Sequence, residues 1–400
     1  MNIFKSRFRV WWQPPRRLGD RVEHRQVSFL ELFYDLVYVA LIAELSHALS
    51  SHISWEALGG FAFLFVIVWW AWVNGSLYHD LHGNNDIRTR VFTFLQMLTV
   101  VSMSVFAHDA LGETSMGFAL SYAVFQLILS YMWWRTGVYD EAHRPLTLPY
   151  VASYLLSTLL FTASVFIPAP VRFYLWGVAV LLTLLAPLYW RLRRASPEIQ
   201  AQIDLSMDIS NSLVERFGLL TLIVLGEVII GIVSGVNEHH DLTLQIAVTA
   251  TLGMLIAIGL WWIYFDFISQ HRPRKNAVSV FMWLYLHLFL TISITAVGAT
   301  VLNVVKHTGE PLPTEVRWLL LSAIAITLVT TAFLTQTTQV LPEHQRIHDI
   351  GRRGLFISAL LILVLGFIPF STTLFLSVIV LLLLTPIYFG LRVWLENVEI

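Results

Sequence analysis

Ionisable side chains interrupt several of the most apolar stretches of this 400-residue chain. They are Glu31, Asp35, Glu44 and His47 in the first such stretch, and Glu215, Arg216, Glu227, Asp266 and His287 in later ones. Within these stretches six carboxylates stand against one arginine. A charged group costs roughly 2.5–3.5 kcal/mol at the centre of a membrane helix, so it usually faces a partner or a cavity. Either some carboxyls are protonated or a cation accompanies them, and both cases point to proton or cation handling.

Helical spacing places the acids of the first stretch at two heights along the helix axis. Glu31 and Asp35 are four residues apart and share a helix face near its start. Glu44 follows Asp35 by nine residues, which is about 13 Å along the axis and about half a turn around it. The carboxylates of Asp35 and Glu44 therefore cannot chelate one ion together, whereas Glu44 and His47 can face the same way.

Glu227 lies at the depth of Glu44 in the second half of the chain. If the two helices meet, these carboxyls form a pair that shares a proton or binds a cation. We predict four coupling or ion-binding residues, which are Glu44, Glu227, Asp35 and His287. We predict a cytoplasmic gate or structural bridge at Glu31, Glu215, Arg216 and Asp266.

Several of these residues also have a structural interpretation. Glu31 and Glu215 lie in first helical turns, where the helix dipole favours acids. Arg216 can pair with Asp35 or within its own helix as a structural bridge. His287, on an apolar helix, can be a hydrogen-bonded packing residue. The sequence leaves these alternatives open.

Composition indicates the elements that carry these residues. The chain is 56% hydrophobic and 13% charged, whereas a soluble domain has about 25% charged residues. About 20 apolar residues cross a bilayer, and continuous apolar runs favour helices over a barrel. We predict an all-α membrane protein with about twelve spans, near residues 29–50, 55–78, 91–107, 116–134, 148–167, 171–190, 212–235, 243–268, 277–303, 316–336, 354–369 and 372–391.

Positive charge predicts the orientation of these spans. All but four of the 25 Lys and Arg residues fall in the N-terminal tail, in loops on the same side, or at the C-terminus. Arg172, Lys306 and Arg317 lie in loops on the other side, and Arg216 begins a span. The positive-inside rule therefore places both termini in the cytoplasm. The net charge of −1 indicates no nucleic-acid partner.

The two halves of the chain resemble each other in order. The matches are Glu31-Leu32-Phe33 and Glu44 with Glu215-Arg216-Phe217 and Glu227, Trp69-Trp70-Ala71-Trp72 with Trp261-Trp262-Ile263-Tyr264, Val91-Phe92 with Val280-Phe281, Phe166-Ile167-Pro168 with Phe367-Ile368-Pro369, and Ala186-Pro187 with Thr385-Pro386. We therefore predict a basic tail over 1–28, a six-helix repeat over 29–195, a cytoplasmic linker over 196–211 and a second repeat over 212–400. Because six is even, the two repeats are parallel, an arrangement found in secondary transporters.

Other motifs point away from metal and enzyme chemistry. The chain has no cysteine, and His79-Asp80-Leu81-His82 resembles a metal site in composition alone. It has no Gly-rich phosphate loop, GxSxG or HExxH motif, and its loops are short. We expect no metal, no cofactor and no enzymatic activity. The loop residues Asp86, Arg88 and Arg90 are predicted to hold span ends together through salt bridges.

The segment from Phe29-Leu30-Glu31-Leu32-Phe33-Tyr34-Asp35 to Val39 resembles the signature of the bacterial low-temperature-requirement A (LtrA) family. Further matching segments are Asp86 to Arg90 with Gln96-Met97, Glu215-Arg216-Phe217 to Gly226-Glu227, Trp261 to Asp266, and Leu286-His287. The similarity runs from about Glu23 to Arg392. It implies a multi-pass protein of the bacterial inner membrane that is linked to growth in the cold.

Phe33-Tyr34-Asp35 also resembles, more faintly, the Phe-Ser-Asp motif of lysosomal and bacterial potassium channels, with Tyr34 in place of the serine. The second half has Phe217-Gly218-Leu219, without the acid, at the corresponding place. Our leading hypothesis is a secondary transporter or permease coupled to protons or cations, with membrane lipid, protons or monovalent cations and a small solute as partners. The alternatives are a cation channel for potassium or protons, and a non-transport membrane-adaptation factor for growth in the cold.

Overall fold

The computed structural model describes residues 13–18, 20, 25–189, 196–269, 271–340 and 345–398. Over these residues the chain is helical, and its one isolated bridge joins Pro273 and Thr338. Residues 1–12, 19 and 21–24 of the predicted tail lie outside the described part, as do the loop residues 190–195.

The helices alternate with short connections along the whole chain. The first six are α1 (Phe29–Ser51), α2 (Trp55–His82), α3 (Ile87–Ala107), α4 (Ser115–Tyr139), α5 (Arg144–Ser164) and α6 (Val171–Leu185). The others are α7 (Pro197–Ser206), α8 (Asn211–Asn237), α9 (Leu244–Phe267), α10 (Ala277–Lys306), α11 (Thr314–Thr337), α12 (Gln345–Val364) and α13 (Thr372–Val398). Single 3₁₀ turns, Ala186–Leu188 and Leu365–Phe367, follow α6 and α12.

Each predicted span coincides with one of these helices. Ten helices in the described part of the chain are long and apolar enough to cross a membrane. They do not include α1, which carries three carboxylates, or α13, whose apolar part is Thr372–Tyr388. The chain is therefore a multi-pass helical membrane protein, and the count of twelve spans stays a prediction.

Two polar segments form helix where the sequence predicted none. The predicted linker contains α7, which begins with Pro197 after the cap residue Ser196. Helix α12 begins at Gln345, nine residues before the predicted span at 354. Hydropathy marks where a helix becomes apolar enough for lipid, whereas a helix itself continues into water for as long as its backbone bonds are satisfied.

The described residues divide into two compact units. The first comprises those within Met1–Leu45 and Phe63–Arg216, and the second those within Ser46–Ala62 and Phe217–Ile400. The division after Arg216 is close to the predicted start of the second repeat at 212, but residues 46–62 belong to the second unit. The predicted domain boundaries stay a prediction.

A buried tryptophan packs against aromatic rings of two other helices in the first unit. Helices α3 to α6 pack in consecutive pairs. The fully buried Trp176 of α6 stacks on Phe118 of α4 and Phe161 of α5, with ring centroids 5.7 and 5.4 Å away. Its indole N–H donates to the Ser164 hydroxyl at 2.8 Å. This aromatic cluster ties α4, α5 and α6 together without an unsatisfied indole.

Close backbone approach organises the second unit. Helices α10 to α13 also pack in consecutive pairs, and α9 packs on α13. Gly231 and Gly235 of α8 form a GxxxG pair that faces α10, where a Cβ on Gly231 would collide with the carbonyl oxygen of Gly298. A Cβ on Gly235 would lie 2.7 Å from the Leu302 carbonyl oxygen. Small residues of this spacing let membrane helices approach closely.

Asp86 and Asn276 cap the starts of α3 and α10. The Asp86 carboxylate accepts the Thr89 N–H at the start of α3, and the Asn276 side-chain oxygen accepts the Ser279 N–H at the start of α10. Replacing either cap residue with Ala should lower the free energy of unfolding in detergent by about 0.5–2 kcal/mol. Asp86→Asn and Asn276→Asp keep the acceptor oxygen and serve as controls. Equal losses in the Ala variants and the controls would contradict the capping role.

Candidate functional site

A reciprocal capping box begins α1. The Ser28 N–H and hydroxyl donate to Glu31 Oε2 at 3.0 and 2.8 Å, and the Glu31 N–H donates to the Ser28 hydroxyl at 3.3 Å. The pattern Ser-x-x-Glu before an apolar run is a known signal for a helix start. Glu31 thus has the first-turn position that the sequence analysis considered, and Ser28 is a partner that it missed.

Asp35 and Arg216 form a buried ion pair in the first unit. Arg216 Nε donates to Asp35 Oδ2 at 3.0 Å, and Arg216 Nη2 donates to Oδ1 at 2.5 Å. The Trp72 indole N–H also donates to Oδ1, at 2.8 Å. Both side chains are about 98–99% buried. Of the partners considered for Arg216, the structure selects Asp35, in the two-pronged geometry that arginine offers to carboxylates.

Aromatic rings enclose this ion pair. The Arg216 guanidinium lies 5.6 Å from the Tyr34 ring centroid and 5.8 Å from that of Trp72. The Tyr34 hydroxyl is 3.1 Å from that of Tyr38. Gly75 makes room for Tyr34, because a Cβ there would collide with the Tyr34 hydroxyl. The rings exclude water and contribute cation–π attraction, so the charges of the pair depend on each other.

A second layer of charge surrounds the pair. Arg25 Nη2 donates to Glu31 Oε1 at 2.7 Å, and Arg25 Nη1 is 3.4 Å from Asp80 Oδ1. Asp80 also accepts hydrogen bonds from the hydroxyls of Ser210 and Ser212. Glu31 Oε1 lies 3.8 Å from Arg216 Nη1. Arg25 and Asp80 therefore connect the tail, α1, α2 and the start of α8, and neither was predicted as a site residue.

The predicted loop residues have distinct roles. Asp86 caps α3 and also accepts the backbone N–H of Gln13 at 2.9 Å. Arg88 is buried, whereas Arg90 is exposed and donates to Asn85 Oδ1 at 2.9 Å. The loop thus holds the tail and α3 together, and the contacts of Asp86 are hydrogen bonds to backbone and hydroxyl groups.

Glu227 occupies a different environment in the second unit. Glu227 is 4% exposed, and the Ser46 side chain lies near its carboxyl group. Its Oε1 is buried and has no hydrogen-bond partner among the described residues. The backbone of Gly298 lies against that of Glu227, so a Cβ on Gly298 would be 2.8 Å from the Glu227 carbonyl carbon. Glu227 is thus a deep carboxyl group with one oxygen free to bind a proton or a cation.

Both ring nitrogens of His287 have partners in the second unit. Nδ1 is 2.7 Å from the Trp283 carbonyl oxygen, and Nε2 is 3.1 Å from the Tyr264 hydroxyl. The ring is fully buried and packs edge-on to Phe217. These contacts fit the hydrogen-bonded packing role that the sequence analysis left open, and the contact with Tyr264 also leaves a route for proton transfer.

The remaining predicted residues lie elsewhere. Glu44 is half-buried and His47 is exposed on α1. Glu215 is exposed, although its neighbour Arg216 is buried. Asp266 is exposed and accepts the Trp262 indole N–H at 2.6 Å. The structure brings Glu31, Asp35 and Arg216 together, while the predicted pairing of Glu44 with Glu227 stays a prediction.

Comparison with known proteins covers most of the chain. A family model described as bacterial low temperature requirement A protein (LtrA) matches residues 26–389. The chain is also 27% identical over 296 residues to an uncharacterised protein of Rhizobium meliloti (strain 1021), and this match covers 70% of each chain. No solved structure matches the chain. The family match includes every acid and histidine predicted above as a site residue.

Proposed function

The chain belongs to the bacterial low temperature requirement A (LtrA) family, and on that premise we propose that it is a secondary transporter of the bacterial inner membrane, coupled to protons or cations. Its cargo is a small solute, and it performs no enzymatic chemistry. In this proposal Glu227 and Glu44 are the coupling acids. Asp35, Glu31 and Arg216 form a structural bridge at one end of the first unit.

The observation that carries the proposal is the Glu227 carboxyl group. It is buried among membrane helices, lies near the Ser46 side chain, and is left with Oε1 unpartnered among the described residues. A carboxylate in that position is strongly disfavoured unless a proton or cation joins it. Asp35 is different, because Arg216 and Trp72 engage both of its oxygens. We therefore assign to Glu227 the binding and release of a proton or cation during transport.

The proposal includes twelve spans arranged as two parallel repeats, with both termini in the cytoplasm. Three observations support it. Every predicted span is helical, and the last four helices of each half pack in the same consecutive order. Asp86 and Asn276 cap corresponding helices, α3 and α10. The asymmetric distribution of Lys and Arg supports the orientation. Substrate sites of such transporters lie between repeats near the middle of the membrane.

Proton flux into proteoliposomes tests the coupling role of Glu227. The protein is reconstituted with an internal pH-sensitive dye, and a potassium diffusion potential drives uptake. We expect the wild-type protein to carry a proton flux. The flux of the Glu227→Gln variant should fall to the level of protein-free liposomes, because the amide cannot release a proton. Glu44→Gln is expected to reduce flux as well. Glu315→Gln is the control, because Glu315 is exposed on α11 and is not among the predicted site residues.

The outcomes separate the proposal from its alternatives. If the Glu227→Gln variant has the same proton flux as the wild type, Glu227 is not a coupling acid. Currents in planar bilayers that do not saturate at transporter-like rates would favour a cation channel. If folded wild-type protein moves neither protons nor rubidium and sodium tracers, and Glu44→Gln/Glu227→Gln cells grow normally in the cold, the non-transport role would replace the proposal.

A further inference from the structure

A cavity of about 740 Å³ opens at one end of the first unit, where α1 and α3 begin and α2 ends. Its lining includes Arg16, Arg25 and Arg90, and one acid, Glu31. Helices that cross a bilayer begin and end at the level of the lipid headgroups. Helices α2 and α3 are long and apolar enough to cross a bilayer, so a pocket at their shared ends lies at the level of lipid phosphates.

The lining of this pocket has an excess of positive charge. Three arginines and one acid, Glu31, line the pocket; Arg25 is 2.7 Å from Glu31 Oε1 and 3.4 Å from the neighbouring Asp80 Oδ1. The exposed Arg90 donates to the neutral oxygen of Asn85, so that contact leaves its positive charge uncompensated. Arg25 keeps 20% of its side chain exposed. Guanidinium groups bind phosphate oxygens through paired N–H donors, which makes a phosphate the matching ligand.

The lining of the pocket also includes large apolar side chains. Phe29, Phe33 and Phe94 line it, and they are 91%, 50% and 44% exposed. Exposed rings of this size in a cluster mark a surface that an apolar partner covers. A free phosphate ion would contact the arginines alone, whereas a phospholipid would contact both the arginines and the rings.

We propose that this pocket binds one anionic phospholipid, with its phosphate between Arg90 and Arg25 and its acyl chains along Phe33 and Phe94. Basic pockets between membrane helices bind acidic headgroups in this way. The lipid would join the start of α1 to α3 and so hold the ends that Glu31 and Asp86 cap. The site is distinct from Glu227, and it stands whether or not the chain transports protons.

Native mass spectrometry of the purified full-length protein tests the site. Phosphatidylglycerol is titrated in detergent, with phosphatidylcholine as the neutral-headgroup control. We expect at least one phosphatidylglycerol per protein, bound tightly enough to survive dilution, and weaker retention of phosphatidylcholine. Arg90→Gln is expected to weaken phosphatidylglycerol binding about five-fold, the effect of removing one basic contact at a lipid surface. Arg353→Gln, an exposed arginine on α12, is the matched control.

The apolar lining is tested separately. Phe94→Ser should also weaken phosphatidylglycerol binding, and circular dichroism confirms that each variant keeps its helices. Inorganic phosphate at millimolar concentration should neither displace the lipid nor raise the thermal stability. Equal binding of both lipids, or equal losses in Arg90→Gln and Arg353→Gln, would overturn the proposal. Arg90-dependent stabilisation by inorganic phosphate alone would overturn it in favour of a soluble anion.

Discussion

Arg216→Gln is expected to lower the free energy of unfolding by about 3–5 kcal/mol, because it leaves the Asp35 carboxylate buried without its cation. The Trp72 indole N–H would remain, but one neutral donor does not replace two guanidinium contacts. Arg216→Lys should lose less, since it keeps the charge but not the two-pronged geometry. Denaturant unfolding in mild detergent, followed by circular dichroism, measures the differences.

A double-mutant cycle shows whether the loss belongs to the pair. Asp35→Asn alone should cost less than Arg216→Gln, because Arg216 keeps Glu31 at 3.8 Å. The double variant should be more stable than the sum of the single losses predicts, since it leaves neither charge buried alone. Arg353→Gln controls for the loss of an exposed arginine and should change stability by less than about 0.5 kcal/mol. Additive losses in the cycle would contradict a direct pairing of Asp35 with Arg216.

The helices were predictable because apolar length alone determines where a chain can cross lipid. The breaks before α6 and α13 lie where Pro168, Pro170 and Pro369 indicated them. What hydropathy could not predict was helix outside the apolar part, as in α7 and in the polar start of α12 around Arg352 and Arg353. Those turns depend on capping and charge, which contribute nothing to a hydropathy window.

The candidate site was predictable in part. Asp35 and Arg216 stood out because charges are expensive in hydrocarbon, and one arginine among six acids restricts the possible partners. Arg25 and Asp80 were missed because they lie in the tail before α1 and at the end of α2, where charged residues are common and carry no such cost. Their contact spans 55 positions in the sequence. Spacing along one helix cannot predict a contact of that separation.

The exposure of Glu215 and the burial of Arg216 show a second limit of prediction from the sequence. The two residues are adjacent, and both fall at the start of a predicted span. A helix turns by about 100° per residue, so neighbours face different environments. Apolarity is nearly uniform around such a helix, so the sequence carries little information on which neighbour faces the protein. The packing of α8 against neighbouring helices decides which of the two side chains is buried.

The buried acids of the two units differ in their hydrogen-bond partners. In the first unit, Asp35 is compensated by Arg216 and fixed by Trp72, which suits a permanent structural bridge. In the second unit, Glu227 lies near Ser46 and has one oxygen unpartnered among the described residues, and in our proposal it gains and loses a proton or cation. A buried charge with an ionic partner keeps its charge state, because neutralising it would leave the partner as an uncompensated buried charge. An uncompensated acid responds to whatever ion reaches it.

Gly298 should tolerate no larger side chain without loss of stability, because it sets the distance between α10 and the backbone of Glu227. A Cβ at Gly298 would lie 2.8 Å from the Glu227 carbonyl carbon and 3.0 Å from the Val228 nitrogen. Backbone atoms cannot rotate away, so the helices must separate. Gly298→Ala is expected to cost about 1–3 kcal/mol of unfolding free energy, and Gly298→Leu about 3 kcal/mol or more.

Gly226→Ala is the matched control, since Gly226 precedes Glu227 and has no atom within 4 Å of a Cβ placed there. It should be neutral or raise stability by up to about 1 kcal/mol, because alanine restricts the unfolded chain and favours helix. Detergent unfolding and proton flux are measured on the same preparations. If helix approach positions Glu227, Gly298→Ala should lower flux more than its stability loss explains, while Gly226→Ala keeps wild-type flux. Equal stability and flux in the two variants would show that this close contact has no part in holding the coupling acid.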